Sequence, residues 1–102
     1  MLELTIRREP GVIHFKLIGE LDADTVGYLR EKAIPSPGTK LFLDLRELRF
    51  VDSSGLRGLL DIYRVWEGRV TLGHVRPEVQ EILEVVGLAE LFQQGEEGEN
   101  SG

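Results

Sequence analysis

The sequence of 102 residues contains no cysteine. That absence excludes a disulfide scaffold, a thiolate nucleophile and a cysteine-ligated metal site. The sequence also has no apolar run of the ~20 residues that a membrane-spanning helix needs. Its opening segment, MLELTIRREP, lacks the apolar core of a signal peptide. We therefore expect a soluble, cytoplasmic protein without a membrane span.

Basic residues are in the minority, with 12 lysines and arginines against 18 aspartates and glutamates and a formal net charge of −6. An acidic domain repels a phosphate backbone, so we expect no direct nucleic-acid binding. Half of the net charge comes from Glu96, Glu97 and Glu99 in the final segment 93–102, which has no large apolar residue. We predict a disordered acidic tail over 93–102 and one folded domain over 1–92.

The spacing of apolar residues predicts strands and helices in the order β-β-α-β-α-β-α. Alternation at 2–6 and an apolar run at 12–18 predict two strands, which the turn at Pro10-Gly11 most simply joins into an antiparallel hairpin. Apolar runs at 40–45 and 69–73 predict two central strands, which should be parallel because a helix connects them. The predicted fold class is α/β, with a mixed sheet packed against amphipathic helices.

Helical spacing predicts three helices on this sheet. The first covers about 24–33 with Asp22 or Asp24 as its cap, the second follows Asp52, and the third begins at Pro77. Trp66, near the end of the second helix, is interpreted as a packing residue. The apolar stripes predicted for the three helices are Val26, Leu29 and Ala33, then Leu56, Leu59, Leu60 and Tyr63, then Val79, Ile82, Leu83 and Val86.

The segment from Asp52 to Leu56, DSSGL, joins a predicted buried strand to the start of the second helix. A helix start directs free backbone N–H groups and the positive end of the helix dipole at one point, where a phosphate is well tolerated. Gly55 has no side chain, so a partner could approach the backbone closely. The alternative is capping alone, with Asp52 or Ser53 as N-cap and Ser54 as the first helical residue. One serine can cap the helix while its neighbour is modified, so both interpretations stay open.

Several segments together resemble the STAS domain family, and within it the bacterial anti-sigma factor antagonists. The closest similarity lies in Phe42 to Leu45, FLDL, and in Phe50 to Leu56, FVDSSGL. The segment Gly19 to Asp22, GELD, resembles the family's second marker, and 77–92 resembles its C-terminal helix. The resemblance covers about 2–92, with the markers in the family's order and spacing.

The resemblance implies a phosphorylation switch. In this family the unphosphorylated antagonist binds an anti-sigma factor, usually a serine kinase, and thereby frees the sigma factor. The kinase inactivates the antagonist by phosphorylating the second serine of the motif, and a phosphatase resets it. By position the acceptor is Ser54. The family's acidic positions near the acceptor match Asp22 and Asp52. We expect partner binding at these two residues and at Ser53, Gly55 and Arg57, although some relatives carry a small residue where this sequence has Arg57.

Phosphorylation of Ser54 should act at the surface and not through unfolding. A phosphate adds about −1.5 to −2 charges, beside Asp52 and, if the two loops meet, beside Asp22. An interface shaped for a neutral hydroxyl would then have to bury an unpaired dianion, which is costly. Asp22 can instead be only a helix cap and Arg57 only a solvated helix residue, and both alternatives stay open. We expect a monomer when the protein is free.

An enzyme is the first alternative from another class. No histidine or lysine lies near Ser54 in sequence to act as a base, and the sequence has no Gly-x-Ser-x-Gly elbow and no P-loop. His14 and His74 have no metal partner in a local motif, and a surface role is expected for His74. We predict no catalytic activity, no metal and no cofactor, although weak nucleotide binding stays open.

A different role within the STAS family is the second alternative. Some single STAS domains are accessory subunits of ABC-type lipid transport systems, and such a subunit needs only this domain. In those subunits a threonine or another residue more often replaces the acceptor serine. The intact sequence Asp52-Ser53-Ser54-Gly55 therefore favours the sigma pathway.

Overall fold

The strands and helices follow one another in the predicted order, with a short fifth strand at the end. The computed structural model describes residues 1–94. Its elements are β1 (Leu2–Glu9), β2 (Val12–Leu21), α1 (Val26–Lys32), β3 (Lys40–Val51), α2 (Ser53–Val65), β4 (Val70–Gly73), α3 (Pro77–Val85) and β5 (Gln93–Gln94). Because β5 pairs with β4, the fold extends two residues beyond the predicted domain boundary. The rest of the predicted acidic tail, 95–102, lies outside the described residues.

The five strands form one mixed sheet in the order β1-β2-β3-β4-β5. β1 and β2 are the predicted antiparallel hairpin, with Gly11 at φ +81 in its turn. Every later pair is parallel, which confirms the prediction for the two central strands. The α/β class and the mixed sheet are therefore both confirmed.

The core lies between the sheet and the helices. Phe15 and Leu17 of β2 and Leu43 of β3 are buried in the same apolar cluster as Leu29 of α1 and Leu83 of α3. Complete burial of such a side chain contributes about 1.5–3 kcal/mol. The helices thus cover one face of the sheet, and the opposite face carries mostly polar side chains.

β3 is twice as long as predicted, ending at Val51 instead of residue 45. Its pairing with β2 shifts twice, between Lys16 and Ile18 and again between Gly19 and Glu20. Each shift adds a residue to β3, as in a β-bulge. The buried positions of β3 are consequently spaced by two at first and by three afterwards: Leu41, Leu43, Leu45, Leu48 and Val51. Because a regular strand has a spacing of two, this change of spacing prevented the sequence pattern from predicting the second half of β3.

The buried stripe of α2 differs from the predicted one. Of the predicted residues, only Leu59 is fully buried, while Leu56, Leu60 and Tyr63 are partly exposed. The buried residues of α2 are Gly55, Gly58, Leu59 and Ile62. The prediction is confirmed for Leu59 and in part for Leu56 and Tyr63, which pack against the core. It missed the two glycines, which are not apolar markers and lie at the closest contacts of the helix. A Cβ on Gly58 would lie 2.1 Å from Cγ2 of Val26 in α1.

Two predictions concern residues at the ends of helices, Trp66 after α2 and Val86 after α3. Trp66, directly after α2, is fully buried, and its Nε1 donates a hydrogen bond of 2.9 Å to the carbonyl oxygen of Ala33. Its packing role is confirmed. Val86, predicted on the stripe of α3, is instead 49% exposed because the helix ends one residue earlier, at Val85. Val79 and Leu83 are buried as predicted.

Candidate functional site

The carboxyl ends of β2 and β3 lie side by side and bring the two marker loops together. The register pairs Leu21 with Val51, so Asp22 and Asp52 leave the sheet at the same edge. The N–H of Asp52 donates a hydrogen bond of 3.2 Å to the carbonyl oxygen of Leu21. The loop after β2 and the loop after β3 therefore meet, as is needed for Asp22 to lie near a phosphate on Ser54. Residues 20–24 and 50–57 are called the Ser54 edge below.

Asp52 is the N-cap of α2. One of its carboxylate oxygens, Oδ1, accepts a hydrogen bond of 2.9 Å from the N–H of Gly55, and its carbonyl oxygen accepts another of 2.9 Å from Leu56. The helix begins at Ser53, so Ser54 is the second helical residue and not the first as predicted. The N–H groups of Ser53 and Ser54 have no acceptor within the helix, because the first turn offers none.

The hydroxyl group of Ser54 takes no part in this cap. Ser54 is partly exposed and Ser53 is exposed. Within residues 1–94 no hydrogen bond involves the Ser54 hydroxyl. Arg57 is exposed and follows Ser54 by three positions and Ser53 by four, so all three share one face of the helix. A modifying enzyme can thus reach Ser54 without displacing the cap.

Gly55 is buried, so the contact that requires a glycine at this position lies inside the protein. A Cβ at this position would lie 2.3 Å from the carbonyl oxygen of Leu21 and 2.7 Å from Cγ2 of Val51. The close approach that glycine permits is therefore internal, between α2 and the ends of β2 and β3. The sequence had suggested an approach by a partner, which the burial of Gly55 does not allow.

Asp22 organises the turn that leads into α1. Its Oδ1 accepts hydrogen bonds from the N–H groups of Asp24, at 3.0 Å, and Thr25, at 3.1 Å. The N-cap of α1 is Thr25 and neither of the predicted aspartates, because the helix begins only at Val26. Asp22 thus has a structural role in the turn before α1, although it is not the helix cap that the sequence offered, and it adds a carboxylate to the Ser54 edge.

Charges of both signs lie at the Ser54 edge. Glu20, Asp22, Asp24 and Asp52 supply four carboxylates, while the cation within these residues is Arg57. In the described part of the chain Arg57 makes no ion pair. The edge therefore has a negative excess, to which a phosphate on Ser54 would add.

A cavity lies on the uncovered face of the sheet, far along β3 from Ser54. Its volume is about 220 Å³, and it is lined by Thr5, Arg7, His14, Phe15, Lys16, Phe42, Asp44 and Arg46. Lys16 pairs with Glu47 at 2.8 Å, and Arg7 pairs with Glu9 at 3.0 Å. The hydrogen bond between Lys16 and Glu47 raises the pKa of Lys16 and lowers that of Glu47. Carboxylates therefore compensate two of the cations that line the cavity, while the guanidinium group of Arg46 contacts the ring of His74.

Both histidines lie near this cavity and not at the Ser54 edge. His14 is only 6% exposed, its ring 5.4 Å from that of Phe42. Sequence reasoning missed its burial, although its apolar neighbours in β2 were a signal. His74 is partly exposed directly after β4, with a ring nitrogen 3.1 Å from Nη2 of Arg46. Neither ring is placed to activate Ser54.

Two kinds of site are absent from the described residues. Residues 1–94 contain no group of three or more histidine, aspartate or glutamate side chains arranged to hold a metal ion. No helix in that range is long and apolar enough to cross a membrane.

Comparisons with known proteins place the chain among relatives of defined function. A family model described as "Mlab, STAS domain" matches residues 4–93. The anti-sigma F factor antagonist of Paenibacillus polymyxa is 31% identical over 98 residues, which cover 89% of this chain and 84% of that protein.

Solved structures share the fold. The anti-sigma factor antagonist SpoIIAA in its unphosphorylated form matches with a TM-score of 0.73 and 21% identity, over 93% of this chain and 90% of that chain. The phosphorylated form of SpoIIAA from Bacillus matches with a TM-score of 0.67 and 20% identity, over 93% of each chain. An anti-sigma-factor antagonist (STAS) domain protein from Planctomyces limnophilus matches with a TM-score of 0.79 and 17% identity, over 91% and 89%.

Proposed function

The chain belongs to the STAS domain family, and on this basis we propose that it is an anti-sigma factor antagonist controlled by phosphorylation of Ser54. The observation that carries the proposal is the accessible Ser54 at the start of α2, on the edge where Asp22 and Asp52 meet. The unphosphorylated protein binds an anti-sigma factor and releases the sigma factor. Because sigma factors act with RNA polymerase, the proposal places the protein in the cytoplasm, as a monomer when free.

The switch consists of two opposing reactions at one hydroxyl group. The anti-sigma factor, acting as a serine kinase, transfers the γ-phosphoryl group of ATP to Oγ of Ser54. ADP leaves, and the hydroxyl proton passes to a base of the kinase. A phosphatase hydrolyses the new ester with water and restores the hydroxyl group. The protein is the substrate of both reactions and, in this proposal, catalyses neither.

The position of Ser54 supports a switch that leaves the fold intact. The cap of α2 depends on Asp52, so modification of Ser54 removes no hydrogen bond of the fold. The helix dipole favours a negative charge in the first turn by about 0.3–1 kcal/mol, while Asp22 and Asp52 oppose it. Both contributions act at an exposed helix end, where solvent and salt screen them. In a closed interface the same dianion would be buried without a partner, at a cost of several kcal/mol.

A capture experiment with three baits tests the proposal. Ser54→Ala keeps the site uncharged, whereas Ser54→Asp adds a negative charge. Ser36→Asp adds the same charge at an exposed position before β3, at the opposite end of the sheet. From host lysate, we expect Ser54→Ala and Ser36→Asp to retain a small ATP-binding serine kinase that Ser54→Asp does not retain, as identified by mass spectrometry.

The capture experiment also separates the second candidate from the first. An STAS accessory subunit of an ABC-type lipid transport system needs only this domain, and the matching family model is described as Mlab and not as an antagonist. That role predicts equal capture of an ABC ATPase by all three baits. This result would contradict the antagonist and leave Ser54 as an ordinary residue of the first helical turn.

A further inference from the structure

Phe50 is an unusual residue in β3, because its large apolar side chain is 49% exposed. The neighbouring apolar side chains of the same strand are buried: Leu48 is completely buried, and Val51 is only 3% exposed. As Val51 points into the core, the alternation of the strand turns Phe50 towards the face that the helices leave uncovered. Phe50 lies two residues before Asp52, within the Ser54 edge.

The pairing of β2 with β3 is irregular beside Phe50, where the register shifts by one residue. Phe50 pairs with Glu20, directly after the register shift between Gly19 and Glu20. Gly19 has φ +115, and a Cβ there would lie 2.3 Å from the carbonyl oxygen of Met1. A bulge of this kind increases the local twist, re-aims side chains and occurs preferentially beside functional sites. The backbone is therefore built to present Phe50 at the edge.

The surroundings of Phe50 indicate the chemistry of what covers it. Glu20, its neighbour on β2, is paired with the N-terminal ammonium group of Met1 at 2.7 Å. The carboxylates nearby that make no ion pair within residues 1–94 are those of Asp22 and Asp52, at the ends of the two strands. Arg49 precedes it in β3 and supplies a cation. An aromatic side chain among these carboxylates fits an apolar pocket that is bordered mainly by lysine and arginine side chains.

We propose that Phe50 is the apolar anchor that docks the chain on its anti-sigma factor, in a pocket of that partner with a basic border. This inference rests on the proposed function, because it names the contact that holds the partner beside Ser54. A specific interface covers about 800 Å² on each protein, enough to include both Phe50 and Ser54, four residues apart. Aromatic side chains near the centre of such interfaces carry a large share of the binding energy.

A matched pair of variants tests the anchor. Phe50→Ala removes the ring, whereas Ile34→Ala shortens a side chain that is 66% exposed in the connection between α1 and β3, away from the Ser54 edge. The probe is the purified anti-sigma factor that the Ser54→Ala bait captures, and its affinity is measured by calorimetry. We expect Phe50→Ala to weaken binding about 10- to 100-fold and Ile34→Ala to leave it within about twofold of the unchanged protein.

Phosphorylation kinetics give an independent measurement. Phe50 lies four residues before the reacting hydroxyl group. As an anchor it would bind the kinase equally strongly in the ground state and in the transition state. Loss of such a contact raises KM and leaves kcat unchanged. We expect this result for phosphorylation of Ser54 in the Phe50→Ala variant, and a smaller rise of KM for Phe50→Leu, which keeps an apolar side chain. The Leu variant replaces the Ala variant if the latter melts at the assay temperature.

The outcomes distinguish the anchor from the proposed function. Normal affinity of Phe50→Ala, or an equal loss in Phe50→Ala and Ile34→Ala, overturns the anchor while Ser54→Asp still loses binding. A fall in kcat at constant KM also overturns it, since Phe50 would then act on the reaction itself. If the unchanged protein neither binds the kinase nor is phosphorylated, the proposed function fails as well.

Discussion

Neighbouring residues at the start of α2 have different structural roles. Asp52 caps the helix, Gly55 allows it to touch the strand ends, and the hydroxyl group of Ser54 is left unused by the fold. Local chemistry offered Asp52 or Ser53 as the cap, and the structure selects Asp52, whereas Ser54 was named by the family resemblance. The sequence could not predict the internal role of Gly55, which depends on the carbonyl oxygen of Leu21, more than thirty residues away in the chain.

Alanine at Gly55 should destabilise the protein, whereas alanine at Gly27 should not. The new Cβ at position 55 would overlap the backbone oxygen of Leu21, which cannot move without breaking the sheet edge. We expect a loss of about 1–3 kcal/mol in the free energy of unfolding. At Gly27, in α1, a Cβ has no atom of residues 1–94 within 4 Å, so the helix should gain about 0.5–1 kcal/mol.

Urea denaturation of the two variants measures both effects. Each free energy of unfolding is compared with that of the unchanged protein under the same conditions. Equal stability of Gly55→Ala and Gly27→Ala would contradict the close contact between α2 and β2.

The parallel pairing of β2 with β3 has the largest effect on the site among the contacts between elements. It joins Asp22 to Asp52 across the sheet edge, and its two register shifts expose Phe50 and lengthen β3. The apolar spacing predicted both strands and their approximate starting points. It could not predict the shifts, because a bulge is set by pairing between strands and not by the residues of one strand.

Lys16 of β2 and Glu47 of β3 form an exposed ion pair next to the first shift. The hydrogen bond from Lys16 lowers the pKa of Glu47. Substitution Lys16→Met should therefore raise the pKa of Glu47 towards its ordinary value, as followed by carbon NMR of the side-chain carboxyl group. Lys40→Met, at the exposed start of β3, is the control and should leave the Glu47 titration unchanged.

The sign of the stability effect follows from the two pKa directions. Because the pKa of Glu47 is lowered on folding, its contribution is present above the unfolded pKa and is lost as the pH falls through the folded value. Because the pKa of Lys16 is raised, its contribution is lost as the pH rises through the folded value. The pair therefore supports the fold across the neutral range. An identical Glu47 titration with and without Lys16 would contradict this account.

Over the whole molecule, the helices cover one face of the sheet, and the candidate site lies at the carboxyl ends of β2 and β3. Ligand sites of open α/β sheets are commonly found at such an edge. The family resemblance predicted the fold class and the position of Ser54. The sequence alone did not predict that Asp22 lies beside Asp52 or that Phe50 is exposed. Both features depend on the register of β2 with β3, which pairs segments that are distant in the chain.

The affinity of the Ser54-phosphorylated protein for its anti-sigma factor tests the central claim most directly. The two forms of the unchanged protein are compared by calorimetry, and each is melted in the same buffer. The account predicts that phosphorylation weakens binding by about 100-fold or more, as expected for an unpaired charge in a closed interface, with little change in Tm. Equal affinity of the two forms, or a loss of binding that occurs only because the phosphorylated chain unfolds, would contradict it.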